Sequence, residues 1–239
     1  MKISPALFFI VIAAVICFIP GCFSSQQNAR KNVHTRPTID KELFNPSAGV
    51  SITYPVLKDL EDTTVQAAVN RRLYEIFIGD PNSFNDFHEG QNEECPSTYE
   101  CDFTSEQHNY ILAITEKGCI YEGGAHGMPF HEMYYIDIRD GRFYHLGDLL
   151  KETSDLQKLT NLVQCLYQEK KEELGGFDDV IDCLPEDQSF TIRDEGLEIY
   201  FRPYEIACYA AGFPSFTLSW EEVDDLIDSN GDFYKAYFA

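Results

Sequence analysis

Several signatures are missing from this 239-residue chain, and each absence removes a class. There is no GxSxG, no GxxxxGK[ST], no GxGxxG and no HExxH, so the common acyl-transfer, phosphate-cradling, dinucleotide and zinc-protease patterns do not apply. No CxxC pair occurs, which disfavours a structural zinc or a redox dithiol. Basic residues are scarce: 18 Lys and Arg face 40 Asp and Glu, a formal charge of -22. Nucleic-acid binding, which needs clustered cations to displace counterions, is disfavoured. The apolar run from Ala6 to Ile19 is too short to span a bilayer comfortably, and no repeat of solenoid length is present.

What is present reads as an exported, folded chain. Lys2, the Ala6–Ile19 run and a small residue before a cut have the layout of a secretory signal. Apolar residues make up 44%, enough for a sizeable core. Of eight cysteines, Cys17 falls in the signal and Cys22 just after it. The remaining even set, Cys95, Cys101, Cys119, Cys165, Cys183 and Cys208, reads in an exported protein as a disulfide framework of open connectivity. Cys95 with Cys101 can close a local loop, and Cys165 with Cys183 can tie a helix to the segment that follows.

Residues 23 to about 46 are polar and lack periodicity, as expected of a tether. "VSITYPVL" alternates like a strand, and Val65, Val69, Leu73, Ile76 and Phe77 line one face of a helix over Asp62–Ile78, capped by Asp62 or Thr63. Acidic, Gly- and Asn-rich residues 79–96 read as loop. Successive β-prone segments follow around an Arg139–Gly141 turn. Leu156, Leu159, Leu162, Val163 and Leu166 mark a second helix over Ser154–Leu174, with a Ser154/Gln157 capping box and a Gly175-Gly176 stop. A hairpin turning near Asp194–Gly196, the strand "SFTLSW" and a short helix "WEEVDDLI" capped by Ser219 and Glu222 complete the chain. The expected fold is α+β: an antiparallel sheet with two main helices packed on it, braced by disulfides.

Chemistry-bearing residues concentrate at "YEGGAHGMPFHEMYYIDI", Tyr121–Ile138. His126, His131 and Glu132 are metal-competent types, but alternation on a strand sends His131 and Glu132 to opposite faces. No metal or other cofactor is expected. Asp228, Asn230 and Asp232 depart from the calcium-loop register, with Phe233 where the turn glycine belongs, and read as a turn. Gly123, Gly124 and Gly127 supply backbone freedom, and His126 is expected to bond its own turn or the "PYEIA" segment of Pro203–Ala207. Tyr204 and Glu205 read either as a buried Tyr–carboxylate pair or as a binding surface.

Two resemblances add to this. "Ile19-Pro20-Gly21-Cys22" resembles the lipobox of bacterial lipoproteins, which implies a signal peptide over 1–21, lipidation of Cys22 and a tether over 22–48. In Gram-negative sorting, Phe23 in place of Asp implies the outer membrane, facing periplasm or cell surface. "YEGGAHGMPFHEMYYIDIRDGRFYHLGDLL" and "IYFRPYEIACYAAGFPSFTL" resemble the two signatures of the extracellular domain of RsiV-type anti-sigma factors, the second of the form F-x-x-Y-E-I-A-x-Y-A-x-G. That module is also appended to some cell-wall polysaccharide deacetylases. The resemblance implies an N-terminal α+β region over 49–120 and an RsiV-like region over 121–239. It implies a non-enzymatic binding domain for a basic partner such as lysozyme, with Gly123, Gly124, His126, Gly127, Tyr204 and Glu205 as the binding candidates. The alternatives are a cell-wall glycan-modifying enzyme using His126 and Glu205 as acid and base, or a structural envelope lipoprotein without ligand.

Overall fold

A computed structural model describes residues 36–84, 97–178 and 181–238. The signal, the lipobox Cys22 and Cys95 lie outside the described residues, which all fall in one contact unit.

Six strands, β1 (Thr38–Phe44), β2 (Val50–Lys58), β3 (Thr98–His108), β4 (Ile111–Tyr121), β5 (Met128–Asp137) and β6 (Phe143–Tyr144), form one sheet in that order. Strand β1 corrects the expected tether. It occupies part of the 22–48 stretch and pairs antiparallel with β2 from Thr38 opposite Lys58 to Phe44 opposite Ile52. Its charged, largely exposed "TIDKELF" hides the signal, because an edge strand needs little apolar alternation. The sheet is also mixed rather than antiparallel. β2 and β3 run parallel, with Val50 opposite Tyr99, and the chain between them contains α1 (Thr63–Phe77). A parallel pair needs such a crossover, whereas the remaining pairs in the sheet are antiparallel.

Helix α1 starts where expected. The Asp62 carboxylate accepts from the Thr64 and Val65 amides at 2.7 and 3.2 Å, and Val69, Leu73 and Phe77 are buried. They pack with Val50, Ile52, Leu57, Leu112 and Ile114 on one face of the sheet. Ile111, Ala113 and Tyr135, alternating with those residues, enter a second core on the opposite face. Strand β4 is thus covered on both sides, which accounts for its continuous apolar "ILAI".

The second core is closed by α2 (Asp155–Leu174), a three-stranded antiparallel sheet of β7 (Phe190–Ile192), β8 (Gly196–Tyr200) and β9 (Ser215–Ser219), and two short helices, α3 (Trp220–Val223) and α4 (Asp232–Phe238). Leu156, Leu159, Val163 and Tyr167 are the buried stripe of α2. The expected Ser154/Gln157 box does not form: the Ser154 hydroxyl turns to Glu152 and Gln157 reaches Asn161 and the Asp182 carbonyl. The Ser219/Glu222 box does form at α3. The Asp228–Gly231 segment is a turn, closed by the Gly231 amide on the Asp228 carbonyl, and it leads into α4.

The disulfide brace is corrected as well. Cys101, Cys119, Cys165, Cys183 and Cys208 are all free thiols. On neighbouring strands Cys101 lies opposite Gly118 and Cys119 opposite Glu100, so alternation sends the two thiols to opposite faces. Cys165 follows Val163 by two residues, which rotates it off the buried stripe into solvent, and Cys183 is exposed too. Among the described residues no helix is long and apolar enough to cross a membrane.

Candidate functional site

Two connections meet to build the site. The first is the β4–β5 turn, residues 122–127. Gly123 and Gly124 adopt φ of 93° and 100°, conformations that exclude most side chains, and the Tyr121 hydroxyl closes the turn on the Gly124 carbonyl at 3.0 Å. Gly127 is required for a different reason: a Cβ there would stand 2.5 Å from the Cys119 sulfur.

The second connection runs from β8 to β9, residues 201–214. Tyr167 of α2 donates to the carbonyls of Phe177 and Ile206 at 2.6 and 2.8 Å, and the Phe177 amide donates to Ile206 at 2.9 Å. Ile206 and Ala207 are thereby buried, while Tyr204 and Glu205 are left exposed. The Glu205 amide donates to the Arg202 carbonyl at 3.1 Å, with Pro203 first and Tyr204 second inside the turn. Tyr204 has φ of 68°, at the position where a type II turn favours glycine or asparagine.

His126 sits between the two connections. Its Nδ1 lies 3.0 Å from the Gly127 carbonyl and its Nε2 3.4 Å from the Tyr204 hydroxyl, so both partners expected of it are engaged. Its ring stacks on Tyr209 with centroids 3.7 Å apart and planes 21° apart. The Tyr209 hydroxyl donates to the Gly127 carbonyl at 2.8 Å, and Tyr204 and Tyr209 approach to 5.7 Å. The three rings form a surface platform with polar tips, in which His126 and Tyr204 are exposed and Tyr209 is half-buried. Tyr209 was not singled out from the sequence, although it stands five residues after Tyr204 in the same signature.

Glu205 does not pair with Tyr204. Its carboxylate accepts from the Arg202 amide at 2.7 Å, and Arg202 in turn donates to Glu132 at 2.6 Å, with Ser189 holding the other Glu132 oxygen at 2.6 Å. No hydrogen bond joins His126 to Glu205 among the described residues. His131 is half-buried and meets Tyr200 and Phe213 edge-to-face, with centroids 5.5 and 5.7 Å away. Burial pushes its imidazole below the usual histidine range, ahead of the opposing pull of Glu132.

A second titratable cluster lies inside the sheet. The Glu116 carboxylate is 5% exposed, accepts from the Tyr134 hydroxyl at 2.7 Å and stands 3.5 Å from the Cys101 sulfur. Desolvation raises Glu116 and pushes the Cys101 thiol up as well, which makes that thiol a poor nucleophile.

A mixed α+β domain with an aromatic surface between two connections is the class that fold and site define. Residues 147–221 match the model of the family described as protein of unknown function, DUF3298. That span includes α2 and the Tyr204 turn, and the Gly123–Gly127 turn lies before it. The match is consistent with the RsiV-type module expected from the two signatures. Over 237 residues the chain is 20% identical to the peptidoglycan-N-acetylmuramic acid deacetylase PdaC of Bacillus subtilis, covering 92% of this chain. It spans about half the length of that curated relative, 50%. Two solved structures share the fold. A DUF3298 family member from Bacteroides fragilis is 17% identical with a TM-score of 0.55, covering 84% of this chain and 96% of that one. A DUF3298 family protein from Pseudomonas aeruginosa is 18% identical with a TM-score of 0.51, covering 82% and 94%.

Proposed function

We propose that this chain is a lipid-anchored protein of the bacterial envelope whose domain binds, without catalysis, a basic cell-wall-related protein, with lysozyme or another muramidase as the partner class. The observation that carries this reading is Tyr204. A tyrosine held at positive φ costs about 1–2 kcal/mol, and such strain is kept where the side chain serves a purpose. Here the ring is 48% exposed and set beside His126 and Tyr209. Exposed tyrosines supply rigid contact area, and their π faces attract Arg and Lys side chains. The -22 charge of the chain favours the same kind of partner. The name of the Bacillus relative, a peptidoglycan deacetylase, is in keeping with work at the cell wall. An enzymatic reading has less support, because Glu205 is committed to the Arg202 amide.

The platform is tested by surface plasmon resonance of the full chain, in mild detergent, against an animal-type lysozyme. Tyr204→Ala is expected to weaken binding by about tenfold or more, as for a central interface aromatic, with an unchanged circular-dichroism spectrum. Equal affinity in variant and parent overturns the assignment. Anchoring is tested separately. Cys22→Ser is expected to release the protein from the membrane fraction and to remove the acyl mass from its N-terminus. Continued membrane retention contradicts a lipid on Cys22.

A further inference from the structure

Beside the platform, and sharing Tyr204 with it, a groove runs between the large sheet and the β7–β9 sheet. It consists of two clefts. One, of about 390 Å³, is lined by Tyr200, Arg202, Tyr204, Glu205 and Phe213 among others. The other, of about 520 Å³, is lined by residues that include Thr104, Ser105, Thr115, Thr191 and Tyr237. Both volumes lie within the range of about 300–1,000 Å³ typical of small-molecule sites. His131 and Tyr200 line both clefts, which therefore flank a single wall of imidazole and phenol.

That wall is fixed in place. The Tyr200 hydroxyl donates to Glu198 at 2.6 Å and accepts from Arg193 at 2.7 Å, while His131 is wedged against Tyr200 and Phe213. Arg202 is held by Glu132, and Glu132 by Ser189. The lining is prearranged, and its chemistry is mixed in a particular way. Aromatic faces in the first cleft offer surfaces for the apolar C–H face of a ring, with a carboxylate and a guanidinium at their edges to pair with hydroxyls. Hydroxyls of Thr104 and Thr115, paired on one face of the sheet, offer further hydrogen bonds in the second. Glu106, Asp194 and Glu195 outnumber Arg193 on the same lining and disfavour an anionic ligand such as a nucleotide or phosphate, and the paired hydroxyls do not suit a lipid chain.

We propose that this groove binds a neutral linear oligosaccharide that passes over the His131–Tyr200 wall, with sugar rings seated in both clefts. Tyr204 borders both the first cleft and the platform, but the substitutions that test the groove, at Thr115 and Phe213, leave His126, Tyr204 and Tyr209 in place.

The probes are chitotetraose, its disaccharide, and the fully deacetylated, cationic tetramer, titrated calorimetrically into the full chain. The neutral tetramer is expected to bind saturably, to tolerate salt and to bind more tightly than the disaccharide. Thr115→Val keeps strand shape and removes one hydroxyl, and is expected to cost about fivefold, the size of one hydrogen bond. Phe213→Ala removes a ring from the other cleft and is expected to cost about tenfold. Absence of binding at millimolar tetramer overturns the proposal, and so does wild-type affinity in Thr115→Val. Equal affinity for disaccharide and tetramer overturns a continuous groove. Salt-sensitive binding of the cationic tetramer alone identifies charge attraction to an acidic surface and overturns it too.

Discussion

Tyr204 concentrates the physics of the site in one residue. Its positive φ is tolerated because Ile206 and Ala207, two and three residues on, are pinned under α2, leaving the turn no room to relax. The consequence is an inverted ranking of small substitutions. Tyr204→Gly, which removes the strain with the ring, is expected to be about 1 kcal/mol more stable than Tyr204→Ala, which keeps the strain without it. Urea denaturation of the two variants measures the difference, and equal midpoints contradict a strained Tyr204. The glycines of the facing turn were legible in the sequence because positive φ leaves few alternatives to glycine, and Gly123 and Gly124 do adopt it. His126 was expected to bond either its own turn or the Pro203–Ala207 segment, and it reaches both, through the Gly127 carbonyl and the Tyr204 hydroxyl. Tyr209 and the His131–Tyr200 wall were not legible, since a tyrosine on a connection or a histidine on a strand carries no local mark of its partner.

Among the elements, β3 and β5 flank, through Cys101 and Tyr134, the buried Glu116 of β4. Its folded-state pKa is raised by desolvation above an unfolded value of about 4.3. The folded state therefore holds the proton more tightly than the unfolded state does. Stability contributed in this way is present at acid pH and lost as pH rises from the unfolded to the folded value. Glu116→Gln keeps an acceptor for Tyr134 and removes the charge. Relative to the parent, the variant is expected to gain stability as pH is raised from about 4 to 7, read by denaturant melts at each pH. A constant difference across that range contradicts a buried, proton-linked carboxylate. Periodicity exposed α1 and α2 in the sequence because each buries one stripe, and Ser219 with Glu222 marked α3 by local chemistry alone. It failed for β1, an edge whose Lys41 pairs with Asp102 across the sheet, and for α4, whose seven residues follow directly on a turn. Cysteine parity failed for a related reason: an even number in an exported chain says nothing about which face of a strand each thiol occupies.

At the scale of the whole molecule, the parallel β2–β3 pair and the two cores on opposite faces of β4 are long-range arrangements that local alternation does not encode. Residues 122–127 and 201–214 meet at one surface, where His126 and Tyr204 are exposed and Tyr209 is half-buried. A net charge of -22 on the chain speeds encounter with any basic protein, so attraction alone cannot identify the partner. Salt separates the two contributions, since screening weakens long-range attraction while a packed aromatic contact survives it. The measurement to make is calorimetric titration of the full chain with animal-type lysozyme at low salt and at about 0.15 M. Binding of fixed stoichiometry that persists at the higher salt is the predicted result. Heat that disappears with salt, or no heat at either, contradicts a lysozyme-binding role for this domain.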